Sequence, residues 1–156
     1  MINIARKCVP YTPFDKELAS AIVTLVSATG VYLPDQEPFP AEDPGDTSYR
    51  IIPGTTETST LKIVHGHYDH TTADGDPNIV FPLDTLRQLV AEGFIGGVND
   101  NHYSYGFTTK LKELYETTFP EIADKVERSR TRLVLLTAGC PETCHRSIGN
   151  MAREIE

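Results

Sequence analysis

A single-domain α/β fold is what this sequence predicts, Rossmann-like, in three layers around a mostly parallel sheet, and three observations carry that prediction. Residues 21–27 (Ala-Ile-Val-Thr-Leu-Val-Ser) form a continuous, largely β-branched run closed by Gly30, the pattern of a strand buried on both faces. Residues 132–137 (Arg-Leu-Val-Leu-Leu-Thr) repeat that pattern near the end of the chain. Between and after these runs apolar residues recur at helical spacing, and strands that alternate with helices pack as parallel sheets. The 156 residues are one ordinary domain's length, too short for two well-formed cores, so residues 1–156 are read as one unit.

The elements follow in order. After the first strand, residues 33–46 hold four prolines and five acids, and proline cannot donate to a ladder, so residues 33–58 are read as an irregular Pro/acid-rich segment on the surface. Residues 61–64 (Leu-Lys-Ile-Val) are a second strand leading into His65-Gly-His-Tyr-Asp-His70 and an Asp/Gly-rich loop to Asp76. Leu83, Leu86, Leu89 and Val90 mark a helix stopped by Gly93, and residues 94–98 a short strand. Helical spacing returns over residues 110–128, with a break expected near Phe119 and Pro120 in the first turn of the restarted helix. Ile148, Met151, Ala152 and Ile155 define a last helix after the strand at 132–137.

Composition narrows the function classes. Fourteen basic residues face 22 acidic ones, a net charge of −8, and no basic stripe interleaves with aromatics, so nucleic acid is excluded as a partner. No apolar run approaches the roughly 20 residues of a membrane helix, and residues 1–10 lack the apolar core of a signal peptide. The expected compartment is therefore the cytoplasm. Three cysteines, Cys8, Cys140 and Cys144, make no even disulfide framework and point to thiol chemistry or metal binding.

Polar clusters fall after two strands, at 65–70 and 140–145, where ligands of α/β sheets usually lie. Cys144 stands at the expected start of the last helix, with Thr143 as the expected cap. Unpaired N–H groups and the helix dipole would there favour its thiolate, with His145 and Arg146 adding donors or charge and Glu142 opposing them. Cys140, four residues earlier, is placed to form or resolve a disulfide with it. The alternative is that both merely pack a strand-to-helix corner.

His65-x-His67-x-Asp69-His70 has the spacing of the zinc-binding loop of the metallo-β-lactamase fold, which makes a metal-dependent hydrolase a competing reading, with zinc as its cofactor. The same groups could instead bond the acidic loop 71–76, bind substrate or transfer protons.

Five stretches also carry a family resemblance: residues 29–39 (TGVYLPDQEPF), 46–50 (DTSYR), 67–70 (HYDH), 76–84 (DPNIVFPLD) and 135–149 (LLTAGCPETCHRSIG). Together they resemble the selenoprotein B family, which includes subunits of the glycine, sarcosine, betaine and D-proline reductases. In characterised members the last stretch carries a selenocysteine in a Sec-x-x-Cys arrangement. The selenolate takes part in reductive cleavage of a carbon–heteroatom bond, and external thiols reduce the resulting selenenyl-sulfide. By resemblance Cys144 is the downstream cysteine, Pro141 stands three residues before it, Cys140 lies one position further back, and Ser147 replaces another cysteine.

The resemblance implies a partner subunit bearing a pyruvoyl group. The leading expectation is a thiol-dependent oxidoreductase in which Cys140 and Cys144 attack and resolve, His145 and Arg146 tune the thiolate or hold an anionic group, and His67, Asp69 and His70 position substrate. Its partners would be a small-molecule substrate, a thiol or thioredoxin-like reductant and further subunits in a homo- or hetero-oligomer, and no cofactor is firmly implied. A non-catalytic subunit of a larger complex is the remaining alternative.

Overall fold

The structure is a computed structural model describing residues 13–156, so Cys8 and the leader reading of residues 1–10 lie outside the described residues. Its sheet is organised around β1 (Ile22–Ala28), which is buried along almost its whole length. The β-branched run at 21–27 thus forms the strand it predicts. On one side β1 pairs in parallel with β7 (Leu133–Ala138), from Val23 opposite Leu133 to Ala28 opposite Ala138. On the other side it pairs in parallel with two short strands laid end to end, β5 (Gly97–Val98) and β6 (Asn101–Tyr105).

Side chains close the interruption between those two strands. Leu25 N–H donates to Nδ1 of His102 at 2.9 Å, and the Asn99 amide donates to Thr24 Oγ1 at 3.0 Å, so polar groups that leave the ladder stay paired. The sequence of β6, Asn-His-Tyr-Ser-Tyr, carries no apolar run and gave no strand signal, yet four of its five residues are buried. β3 (Tyr49–Pro53) then joins β6 antiparallel, inside the segment expected to be irregular. Its proline sits at the strand's last position, where the missing donor costs least.

The expected strand at 61–64 is also differently placed. β4 (Lys62–Ile63) pairs antiparallel with β2 (Val31–Tyr32) in a separate ribbon and does not join β1. With β3 on one margin, the main sheet is partly parallel.

Helices follow the predicted spacing closely. α1 (Thr71–Gly75) is one short turn, and α2 (Leu83–Ala91) ends before Gly93, whose φ of +78° suits a residue without Cβ. The expected break near Phe119 takes the form of a π turn: α3 (Leu111–Glu113) passes through π-helical residues Leu114–Thr118 into α4 (Phe119–Glu127). Pro120 lacks an N–H for the Glu116 carbonyl, and the Thr117 hydroxyl takes the Glu113 carbonyl at 2.6 Å, so the regular i→i−4 pattern fails there. α5 (Thr143–Ile155) closes the described chain.

Apolar packing covers both sheet faces. Val26, Ala28, Tyr103 and Tyr105 meet Phe119, Ile122 and Val126 of α4 and Met151 of α5. Val23, Leu25 and Ile52 meet Phe81 with Leu83 and Leu86 of α2. The Pro/acid-rich segment wraps the β3 side, where Gln36 Nε2 donates to the Ile51 carbonyl and Arg50 lies over the Phe39 ring, 4.3 Å from its centroid. Among the described residues no helix is long and apolar enough to cross a membrane.

Candidate functional site

β1 and β7 end side by side, and Gly139 N–H bonding the Ala28 carbonyl at 3.1 Å carries the register one step past both strands. A Cβ on Gly139 would stand 2.4 Å from the Tyr68 ring, so only glycine lets the chain pass beneath that ring. The turn that follows places Cys140 Sγ where it accepts the Cys144 N–H at 3.1 Å. Thr143, the expected cap, is instead the first residue of α5, and no side-chain cap comes from Glu142. The cysteine sulfur thus satisfies a donor that helix N-termini otherwise leave unpaired. The two sulfurs face each other at 2.6 Å, both are free thiols, and both residues are buried, 3% and 2% exposed.

His65 reaches the same point from the β2–β4 ribbon. Gly30, at φ +72°, accepts the Val64 N–H at 3.0 Å and leaves no room for a Cβ against the Val64 carbonyl, which fixes where the next residue begins. His65 is 4% exposed and packs against Tyr68, ring centroids 4.6 Å apart, while the Tyr68 hydroxyl donates to the Thr29 carbonyl at 2.9 Å. Nδ1 of His65 accepts the His67 N–H at 3.1 Å, so the neutral ring carries its proton on Nε2. That nitrogen lies 3.2 Å from Cys144 Sγ. The imidazole therefore aims a donor at the sulfur.

Burial, reinforced by His67 and His70, pushes the His65 pKa down to about 4. Burial, reinforced by the Cys140 thiol, pushes Cys144 up to about 12 against the opposing N–H groups of Gly139 and Cys140. The thiolate expected at Cys144 from the helix N-terminus is thus not the resting form: desolvation outweighs the dipole. At neutral pH thiol and imidazole are both uncharged. Ser147, also buried, donates to the Cys144 carbonyl at 2.9 Å and shares a hydrogen bond with the Tyr105 hydroxyl at 3.2 Å, which anchors the first turn of α5.

The other expected site residues point elsewhere. His145 and Arg146 are exposed on α5, and among the described residues no hydrogen bond joins either side chain to the sulfurs. His67 stacks on Phe107, centroids 3.5 Å apart, and its Nε2 meets Asp43 Oδ1 at 3.2 Å. Asp69 accepts the N–H and hydroxyl of Thr71 at 3.0 and 2.6 Å, which hold its carboxyl below the usual range. His70 Nδ1 meets Asp74 at 2.9 Å. His65, His67, Asp69 and His70 therefore do not converge as the hydrolase reading requires. Among the described residues the convergent metal-ligating atoms are those of His65, Cys140 and Cys144, all within 4.8 Å of one another. The sequence offers His65 as a metal ligand, a partner of the acidic loop or a substrate or proton-transfer group, but does not pair it with Cys144, and it misses Tyr68 and Tyr105, because no spacing in the chain relates residues 65, 68 and 105 to the cysteine loop.

A mixed α/β domain that buries two thiols and an imidazole where its central strands end belongs to the thiol-bearing proteins as a class. The family follows from comparison: the chain belongs to the glycine/sarcosine/betaine reductase selenoprotein B family, whose model matches residues 3–139. That match stops one residue before Cys140. D-proline reductase subunit gamma of Acetoanaerobium sticklandii is 38% identical over 147 residues, covering 94% of this chain and 60% of the relative. Betaine reductase complex component B subunit beta of Peptoclostridium acidaminophilum is 30% identical, covering 90% of this chain and 33% of the relative. Glycine reductase complex component B subunit gamma of Symbiobacterium thermophilum is 31% identical, covering 95% and 35%. The chain thus spans three-fifths or less of these relatives' lengths. No solved structure matches it.

Proposed function

We propose that this chain is a reductase-related subunit whose working group is the Cys140/Cys144 pair, cycling between dithiol and disulfide. The observation that carries the reading is the 2.6 Å approach of the two sulfurs at the strand ends, since a disulfide needs only a small further closure to about 2.05 Å. The pair supplies two electrons and two protons. Reductive cleavage of a carbon–heteroatom bond R–X balances as R–X plus two thiols giving R–H, H–X and the disulfide, which two equivalents of an external thiol return to the dithiol.

The relatives' names support a small amino-acid-derived substrate and a multi-subunit setting. A partner subunit would present the substrate, and a small thiol or thioredoxin-like protein would supply the electrons. His145 and Arg146, exposed on the first turn of α5, are assigned to holding an anionic group of substrate or partner, and His67 and His70 to the rim of the site. Asp69 keeps a place on that rim, with its carboxylate committed to Thr71. Packing on both sheet faces supports the Rossmann-like three-layer arrangement, and a cytoplasmic oligomer remains the setting proposed.

The test is a redox titration of the two thiols, read by alkylation and mass spectrometry, with metal content measured on the same sample. A reversible Cys140–Cys144 disulfide in metal-free protein is expected. A second reading, zinc held by His65, Cys140 and Cys144, draws on their convergence but needs the opposite imidazole tautomer. Stoichiometric zinc with inert thiols would favour it, and inert thiols without metal would leave a non-catalytic subunit.

A further inference from the structure

We propose that His65 sets the direction of thiol exchange at this site: it stabilises Cys144 as the departing sulfur, so external thiols add to Cys140. The inference rests on the dithiol reading. It starts from the tautomer. The His67 N–H occupies Nδ1, so Nε2–H is available and faces Cys144 Sγ at 3.2 Å. When an external thiolate opens a disulfide, the sulfur that leaves acquires the negative charge, and exchange is faster through the sulfur whose charge is better stabilised. A hydrogen bond from a ring nitrogen to a thiolate in a dry site is worth more than the same bond in water.

Other groups around the sulfurs do not reverse this preference. Cys140 Sγ has one donor of its own, the Cys144 N–H at 3.1 Å, which opposes the preference, whereas Cys144 Sγ has the His65 Nε2–H together with the N–H groups of Gly139 and Cys140. Tyr68 packs on His65 but spends its hydroxyl on the Thr29 carbonyl, and Tyr105 spends its own on Ser147. His67 is turned away onto Phe107 and Asp43. His65 is the group whose side-chain donor distinguishes one sulfur from the other.

The step balances as follows. An external thiolate RS⁻ attacks Cys140 Sγ, the Cys140–Cys144 bond breaks, and the electron pair leaves on Cys144 Sγ, which accepts the His65 Nε2–H. A second thiolate releases RSSR from Cys140, and two protons from the two thiols complete the dithiol. The imidazole keeps its proton throughout, so its role is that of a hydrogen-bond donor, not of a general base.

The experiment uses the full chain, oxidised with diamide and then exposed briefly to limiting 2-mercaptoethanol. After acid quenching and alkylation, fragmentation of the tryptic peptide 133–146, which carries both cysteines, locates the adduct. In the wild type the adduct is expected predominantly on Cys140. His65→Phe is expected to slow reduction about tenfold and to bring the two adducts towards equal amounts. His65→Gln retains an N–H donor and is expected to recover part of both effects, and it keeps the test decisive if the phenylalanine variant fails to fold. Adduct chiefly on Cys144 in the wild type, or an adduct ratio unchanged in both variants, overturns the role of His65. Failure of the wild type to form the disulfide overturns the dithiol reading, and this inference with it.

Discussion

His65 and His102 are nearly the same device used for two purposes. Each is buried, each accepts a backbone N–H at Nδ1, from His67 in one case and Leu25 in the other, and burial pushes each pKa down to about 4. Each ring therefore carries its proton on Nε2. At His65 that proton faces the Cys144 sulfur, whereas Nε2 of His102 has no protein partner among the described residues. One backbone N–H fixes the tautomer in each case, from two residues away at His65 and from a neighbouring strand at His102, and chemistry arises only where a reactive atom waits on the far side of the ring.

The comparison can be broken in graded steps. Cys144→Ser is expected to have the largest effect, abolishing the intramolecular disulfide and any turnover that depends on it while changing stability by no more than about 1 kcal/mol. Mass spectrometry after oxidation, with urea unfolding in parallel, measures both. His102→Leu is expected to destabilise the fold by about 1–3 kcal/mol, because it leaves the Leu25 N–H unpaired inside the sheet, yet to leave the dithiol chemistry unchanged. Urea midpoints beside the alkylation assay would show that separation, and a loss of thiol chemistry in this variant would contradict it.

Acidification acts on both rings together. Their folded pKa values lie below the unfolded value of about 6.5, so the unfolded chain binds more protons and stability falls as pH drops from about 6.5 towards about 4. Unfolding midpoints across that window should show the fall, and His102→Leu should flatten its slope by up to one proton. The smallest effect is expected from Asp43→Asn, which weakens a partly exposed contact to His67 and should change stability by less than about 0.5 kcal/mol. A larger loss there would place the outer histidines inside the site and not on its rim.

What could be read from the sequence divides along physical lines. β1, β7, α2, α4 and α5 were predictable because their apolar residues repeat at the period of the element they form. β6 was not, since its buried side chains are mostly polar: His102 and Tyr105 bond distant residues, while Ser104 Oγ has no protein partner among the described residues. β3 was hidden by the prolines and acids before it, and β4 was legible as a strand but not as half of a separate antiparallel ribbon. The Cys140/Cys144 pair was legible as a candidate from its spacing and its place between a strand and a helix. Its imidazole was not, because Cys144 and His65 are 79 residues apart and only the fold brings them together. The charge state of Cys144 followed the same rule: helix position was visible, but burial was not.

The π turn at Leu114–Thr118 has a consequence of another kind. A ring closed over five residues in place of four inserts one extra residue, and each residue advances a helix by about 100°. Leu114 and Phe119 are five apart, yet both are buried in the same cluster as Ile122 and Val126. The bulge acts as a phase shifter that keeps Leu114 on the face α4 turns to the core. Shortening this stretch by one residue would leave α4 a good helix and swing Leu114 by about 100° away from the sheet.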